Sequence, residues 1–267
     1  MKIIDTHAHL DEILDIDSAL VRAYQSGVRA VMAPGVDGKS SKKNFELSQR
    51  QQDGWPKIYV AVGMHPSQAN ENDLNDCIAF ISHQAMSIKA VGEIGLDFWY
   101  PWVKKSEEKK ELQRYVFKRQ LELARQLDFP VIIHSRGAWQ ECLETVLAIG
   151  NQKVLFHWYS GPVDILKKIL DKGFFVSATP ALSYSAHAKE AIEQAPLEQL
   201  LIETDSPVVF KRLKEDGMGE EFRAEPKDVF VTLEAVSFLK KKEKQIVLQK
   251  VNENAKYFFN LDLEEIR

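Results

Sequence analysis

Lys2-Ile3-Ile4-Asp5-Thr6-His7-Ala8-His9 opens the chain, and its reading sets the rest. A short apolar run is followed at once by two histidines one residue apart. In extended chain alternate side chains share a face, so His7 and His9 point the same way. Two imidazoles on one face can hold a divalent metal if other segments bring further donors. The same pattern recurs downstream. Continuous apolar runs at Arg29–Ala33, Ile58–Val62, Ile88–Val91, Pro130–Ile133, Lys153–Phe156, Gly173–Ser177 and Leu200–Ile202 join Lys2–Asp5 as candidate strands. Such runs are expected of parallel strands buried on both faces. Glu93, His134, His157 and Asp205 each stand just beyond one of them.

Helical patterns fill the intervals. Val229, Leu233, Val236 and Leu239 mark one amphipathic face, and Val247, Val251, Asn254 or Ala255, and Phe258 mark another. Gly161-Pro162 reads as a helix start, and Gly27 and Gly173 as places where a helix hands over to a strand. No repeat or linker splits the 267 residues. Eight βα units in that length predict a single-domain α/β fold over 1–267, a (β/α)8 TIM-type barrel followed by extra helix. Active sites of such barrels lie at the C-terminal ends of the strands. The candidate donors fall there.

Composition bounds the function. With 45% hydrophobic and 28% charged residues, the chain reads as globular with ample core. No apolar run approaches the about 20 residues of a membrane span. The start Met1-Lys2-Ile3-Ile4-Asp5 does not read as a signal peptide, so a cytoplasmic protein is expected. Cys77 and Cys142 read as reduced, buried small hydrophobes. A net charge of −4 argues against a broad surface that coats nucleic acid, but leaves room for a small site gripping one or two phosphates.

The donors His7, His9, Glu93, His134, His157 and Asp205 form a mixed nitrogen and oxygen set suited to zinc, manganese or similar ions. Six exceed the need of one catalytic metal, which keeps about three protein ligands and an open position. Two metals about 3.5–4 Å apart would use them all and would acidify a water held between them. Glu93 is the natural bridge, with His7, His9 and Asp205 on one ion and His134 and His157 on the other. Asp205 is also suited to take or relay a proton. His65, in Gly63-Met64-His65-Pro66, and Arg136, after His134-Ser135, are candidates to hold a substrate phosphate. Glu203 and Asp5 stand two residues before Asp205 and His7 and are candidates to orient those ligands. Asp97 reads either as another such orienting group or as a helix or loop cap, with the cap slightly preferred.

Other features divide between two readings. His83 and His187 lie in polar helical contexts and read as solvated. Lys240-Lys241-Lys242-Glu243-Lys244 reads as an exposed turn between helices. Phe98-Trp99-Tyr100-Pro101-Trp102 either stacks bases at the mouth of the site or packs a long loop. Trp158 and Tyr159 invite the same two readings.

Together these residues resemble the TatD family of metal-dependent deoxyribonucleases. The matching motifs are Asp5-Thr6-His7-Ala8-His9-Leu10, Gly63-Met64-His65-Pro66, Gly92-Glu93-Ile94-Gly95-Leu96-Asp97 and Val131-Ile132-Ile133-His134-Ser135-Arg136. His157-Trp158-Tyr159-Ser160-Gly161 and Leu201-Ile202-Glu203-Thr204-Asp205-Ser206-Pro207 follow in order, and Gln113–Leu127 is similar to the helix before strand 5. The resemblance implies hydrolysis of DNA phosphodiester bonds with two divalent ions (Mg, Mn or Zn), and its ligand roles fall on the same six residues. A narrow barrel mouth favours single-stranded or frayed ends. Trp158 and Tyr159 depart from the family's usual residues. So does the charged segment Val208–Phe222, with Lys211, Arg212 and Lys214, before Arg223-Ala224-Glu225-Pro226. These departures bear on substrate choice.

Two other functions fit parts of the pattern. A related barrel hydrolase would cleave a small-molecule C–N, lactone or phosphoester bond. Many such relatives bridge their metals with a carboxylated lysine, where this chain offers Glu93. A non-catalytic metal-binding protein would have lost a ligand, and all six are present.

Overall fold

The apolar runs form eight strands: β1 (Ile3–Asp5), β2 (Val28–Pro34), β3 (Lys57–Val62), β4 (Ala90–Gly95), β5 (Val131–His134), β6 (Val154–Phe156), β7 (Phe175–Ala178) and β8 (Leu200–Ile202). They follow one another in a single sheet in chain order, each parallel to the next. Helices α1 (Ile16–Ser26), α2 (Gly38–Arg50), α3 (Glu71–His83), α4 (Pro101–Lys104), α5 (Glu107–Gln126), α6 (Trp139–Ile149), α7 (Val163–Asp171), α8 (Ala186–Gln194), α9 (Val229–Lys240) and α10 (Lys244–Phe259) complete the architecture. This is a (β/α)8 TIM-type barrel. The structure, a computed structural model, describes residues 1–50, 52–213 and 219–262. Lys214 lies outside the described residues. Strand ends differ slightly from expectation: β4 runs on to Gly95, so Glu93 lies within a strand, and His134 is the last residue of β5.

Alternation along the strands divides the core. Ile4, Met32, Tyr59, Ile132, Leu155 and Leu201 belong to one cluster with the small Ala30, Ala61 and Ala90. Phe258 and Phe259 of α10 join it. Asn252 of the same helix accepts from Ile4 N and donates to Lys2 O, and Asn254 donates to Leu197 O and Leu200 O. The last helix therefore docks at the N-terminal ends of β1 and β8, away from the strand exits. A larger cluster lies between the outer strand faces and the helices, where Leu20, Leu74, Phe117, Val146, Leu166 and Leu233 are all buried. Both cysteines are free and buried, and burial pushes the Cys77 thiol up to about 12. Among the described residues no helix is long and apolar enough to cross a membrane.

The seam between β1 and β8 is stitched beyond the strands. Thr6 N donates to Ile202 O at 3.2 Å, Asp205 N to His7 O at 2.9 Å and His9 N to Ser206 O at 2.8 Å. Asp5, fully buried, accepts from Thr204 N at 2.9 Å and Thr204 Oγ1 at 2.6 Å. Its Oδ1 also lies 3.3 Å from His7 N. Burial pushes the Asp5 carboxyl well above its usual range, against the pull of those donors.

The charged segment after β8 folds where a loop was expected. β9 (Val209–Leu213) and β10 (Gly219–Arg223) pair antiparallel from Val209–Arg223 to Leu213–Gly219. Phe210 is fully buried with Ala181 and Ala224 in a small core of its own, against which Trp158, Val208 and Phe222 pack. Glu225 anchors the returning chain by accepting from Arg22 Nε at 2.9 Å and Nη2 at 2.8 Å.

Gly95 (φ +146°) brings β4 against β5, and a Cβ there would sit 1.9 Å from His134 O. Gly95→Ala is therefore expected to cost about 3 kcal/mol, the upper part of the usual range for point substitutions. Urea unfolding of the two proteins measures it. The Lys240–Lys244 run is a turn between α9 and α10, as expected, but Lys240 itself is half-buried. Its Nζ donates to Glu193 O and Ala195 O, and burial lowers the amine to about 8. The folded pKa lies below the unfolded one, so the unfolded chain binds more protons between about pH 8 and pH 10.5. The stability of wild type relative to Lys240→Met should rise across that window, and paired melts at stepped pH read the difference.

Candidate metal centre

The strand exits converge on Glu93, whose two carboxylate oxygens face two groups of donors. Oε2 lies 3.3 Å from His7 Nε2 and 3.4 Å from His9 Nε2. Asp205 Oδ1 lies 3.5 Å from His7 Nε2 and 3.3 Å from His9 Nε2, and the two imidazole nitrogens are 3.3 Å apart. On the other side, Oε1 lies 2.8 Å from His134 Nδ1 and 2.7 Å from His157 Nε2, with those nitrogens 3.5 Å apart. All six expected donors meet.

Their convergence has local causes. Strand β1 ends at Asp5, so His7 and His9 stand on the segment after it, not on extended strand, and their rings meet edge to face. His7 stacks on His157 at 4.1 Å between centroids. Asp205 occupies left-handed backbone (φ +49°), which turns its side chain away from the simple alternation with Glu203. Glu203 consequently addresses a different histidine: its Oε1 lies 3.2 Å from His157 Nδ1 and accepts from Trp158 N at 3.0 Å. Asp5 touches the backbone of His7 and not its ring.

The donor set fits divalent ions. Bonds of about 2.0–2.1 Å in a tetrahedral shell place ligand atoms about 3.3–3.4 Å apart. The five separations measured among His7, His9, Glu93 Oε2 and Asp205, from 3.3 to 3.5 Å, match that edge. Asp205 Oδ1 is buried without a hydrogen-bond donor, as an oxygen reserved for a cation would be. Around Oε1 the contacts are shorter hydrogen bonds from two histidines, and three donors leave open positions. The fit is thus complete on the Oε2 side and looser on the Oε1 side.

Charges are set by proximity. Burial would raise the Glu93 carboxyl, but His157, His65 and His134 hold it well below the usual range. Burial would lower His9, but Asp205 and Glu93 bring it up to about 9. His65 is the opposite case: burial pushes it to about 3, so it is neutral. Its Nδ1 accepts from Ser67 N at 3.0 Å, which leaves the proton on Nε2, 3.4 Å from Glu93 Oε1. His65 Nε2 therefore faces into the site beside Glu93 and His134, with which it forms a third close donor group.

Arg136 stands at the rim with its guanidinium 4.8 Å over the Tyr100 ring. Asp97, read from sequence as a cap, does more. Its Oδ1 does accept from Trp99 N at 3.0 Å, but Oδ2 lies 2.7 Å from His134 Nε2 and accepts from Arg136 Nε at 2.8 Å. Burial would raise this carboxyl, but His134 and Arg136 hold it down. Its position four residues after Glu93, past the bend at Gly95, was the available signal. The aromatic run divides. Phe98 is half-buried beneath Lys110 and Arg114, and Trp99 meets Trp139 edge to face. Tyr100 and Trp102 stack at 4.4 Å, with Trp102 half-exposed. Tyr159 is buried and donates to Pro162 O.

Barrel and donors define a class, the hydrolases whose metal centre lies at the strand exits of a (β/α)8 barrel. A family model described as TatD related DNase matches residues 4–260, and the chain belongs to that family. Human deoxyribonuclease TATDN3 is 29% identical over 269 residues, covering 96% of this chain and 94% of its own. YabD of Bacillus subtilis (strain 168), named an uncharacterized metal-dependent hydrolase, is 28% identical over 270 residues, covering 97% and 100%. Among solved structures, the TatD homolog YJJV from Escherichia coli K12 superposes with a TM-score of 0.84 at 24% identity, covering 97% and 98%. The chain is accordingly a hydrolase acting on ester bonds.

Asp97→Ala frees both His134 and Arg136. Loss of a carboxylate that orients a metal-binding histidine costs about 10–100-fold in affinity. Competition with a chelating dye should show that weakening, and unchanged affinity would deny Asp97 the role.

Proposed function

We propose that the chain hydrolyses phosphodiester bonds of DNA from a single-stranded or frayed end, using two divalent ions held by His7, His9, Asp205, Glu93, His134 and His157. The observation that carries this reading is the division of Glu93, one oxygen toward each donor group, beside two phosphate donors. Bound there, the ions would acidify a shared water and offset charge developing on the phosphate. The side chains do the rest. Asp205 takes the proton of the attacking water. His65 donates from Nε2 to one phosphate oxygen. Arg136, steadied by Asp97 and the Tyr100 face, supplies a cation to another.

The shape of the site supports an end-acting enzyme. Its cleft, of about 290 Å³, is lined by His9, His65, Glu93, Tyr100, Arg136 and Asp205 among others. That is near the lower bound of about 300 Å³ for drug-sized ligand sites, room for one nucleotide and not for a duplex. The net charge of −4 fits an enzyme that grips a terminus and does not coat a strand.

Protein stripped of metal and reloaded with magnesium, manganese or zinc should shorten end-labelled single-stranded DNA stepwise. Blunt duplex should be cut more slowly. Asp205→Asn should lower the rate by about 10²–10⁴-fold, the usual worth of a positioned acid or base. Metal analysis should find two equivalents in wild type and one in His134→Ala. Retained metal with no cleavage of DNA under any ion would sink the nuclease reading.

A further inference from the structure

Beside the metal centre a second cavity, of about 210 Å³, opens between the exits of β5, β6 and β7. It shares His134, Arg136, His157 and Trp158 with the catalytic cleft, so one ligand can reach both. Its remaining walls differ in kind. Trp139, Trp158 and Tyr184 are aromatic and Ala181 is small, while Ser135, Ser160 and Ser185 supply hydroxyl-bearing edges. Arg136 is its one charged wall besides the two histidines.

The aromatic walls are braced. Trp158 occupies left-handed backbone (φ +42°), held by Ser177 Oγ at 2.9 Å and Glu203 Oε1 at 3.0 Å on its amide. Its ring rests 5.4 Å from that of Phe210, the buried centre of the β9–β10 hairpin. Trp139 lies against Gly161 so closely that a Cβ there would come within 2.7 Å of its Cγ. Trp99 meets the other side edge to face at 5.4 Å. Non-glycine residues in left-handed backbone are uncommon and persist where surroundings enforce them. Here the strain places a large flat ring at the wall of a slot next to the phosphate site.

We propose that this slot binds the nucleobase of the nucleotide flanking the scissile phosphate, with Trp158 and Tyr184 as specificity residues. The proposal deepens the phosphodiesterase reading and rests on it for where the phosphate lies. Flat apolar walls suit the π-face that every base presents. The serine edges can meet a base's polar rim. The volume, below the about 300 Å³ of a whole drug-sized ligand, suits one ring system. A base seated here would fix the register of its phosphate at the metal centre and favour an unstacked terminal nucleotide over a paired one.

Binding to the metal-loaded enzyme tests it, with thymidine 5′-monophosphate, deoxyadenosine 5′-monophosphate and 2-deoxyribose 5-phosphate as probes in calorimetric titrations. The nucleotides should bind about tenfold or more tightly than the sugar phosphate, in line with the worth of one base–aromatic stack. Trp158→Ala and Tyr184→Ala should each erase most of that preference, and Tyr184→Ala, which lines the slot and not the catalytic cleft, should leave sugar phosphate affinity unchanged. Trp158→Phe should retain it. Tyr184 is partly exposed, so its variant tests the slot even if Trp158→Ala fails to fold. Equal binding of nucleotide and sugar phosphate by wild type, or a preference that survives Tyr184→Ala, overturns the proposal. The two readings fail separately. A nucleotide preference without cleavage of DNA supports the slot and removes the nuclease, whereas cleavage without the preference does the reverse.

Discussion

The structure depends on how its first and last strands are joined. A barrel closed by a long β1–β8 ladder would need neither Asp5 nor Thr204. Here Asp5, buried among apolar strands, accepts two hydrogen bonds from Thr204 and lies within reach of the His7 amide. Burying a carboxylate is costly unless donors surround it, and these donors are the backbone and hydroxyl of the opposite seam. The next bonds along the seam join His7 O to Asp205 N and Ser206 O to His9 N. Closure of the fold and assembly of the His7, His9 and Asp205 donor group are therefore one event. His7, His9 and Asp205 cannot hold their relative positions if the seam opens, and the seam has few other bonds to hold it.

Glu93 couples that group to the other. It lies inside β4, midway round the barrel from the seam, and is almost fully buried. Each oxygen faces donors from a different pair of strand exits, so its single negative charge is shared among several histidines. Outer carboxylates complete the pattern: Asp97 steadies His134, and Glu203 steadies His157. A histidine held at one nitrogen presents the other in a fixed direction, which is what a metal-binding ring requires. His65 departs from this rule because Ser67, a neutral donor, occupies its Nδ1.

Much of this was legible in the chain. The eight strands could be placed because buried parallel strands are written as continuous apolar runs, and the six donors because each stands in or just past the C-terminal end of one of those strands. The grouping of His7, His9 and Asp205 apart from His134 and His157 was also read from the chain, and the two oxygens of Glu93 face those two groups. Three things were not legible. Asp97 admits both a cap and a ligand-orienting reading, and its choice of His134 depends on the turn at Gly95. The β9–β10 hairpin carries no apolar run: Phe210 is fully buried, whereas Val209, Lys211, Gly219, Glu220 and Glu221 are exposed. The left-handed turns at Trp158 and Asp205 involve residues that carry no local signal for positive φ. In each case a long-range contact, not local preference, decides the conformation.

These illegible parts lie close together and bear on one question, the relation between chemistry and recognition. The metal donors are fixed by carboxylates inside the barrel, while the aromatic slot is fixed by a small satellite core of Ala181, Phe210 and Ala224 outside it. The two share His134, Arg136, His157 and Trp158 as walls, and one further atom joins them. Glu203 Oε1 lies against both the His157 ring and the Trp158 amide, so the carboxylate that aims a metal-binding histidine also sets the aromatic wall. Truncating the Trp158 ring leaves that amide in place. Changing Glu203 disturbs both at once. A change at Glu203 therefore reaches the His157 ring and the Trp158 peptide together.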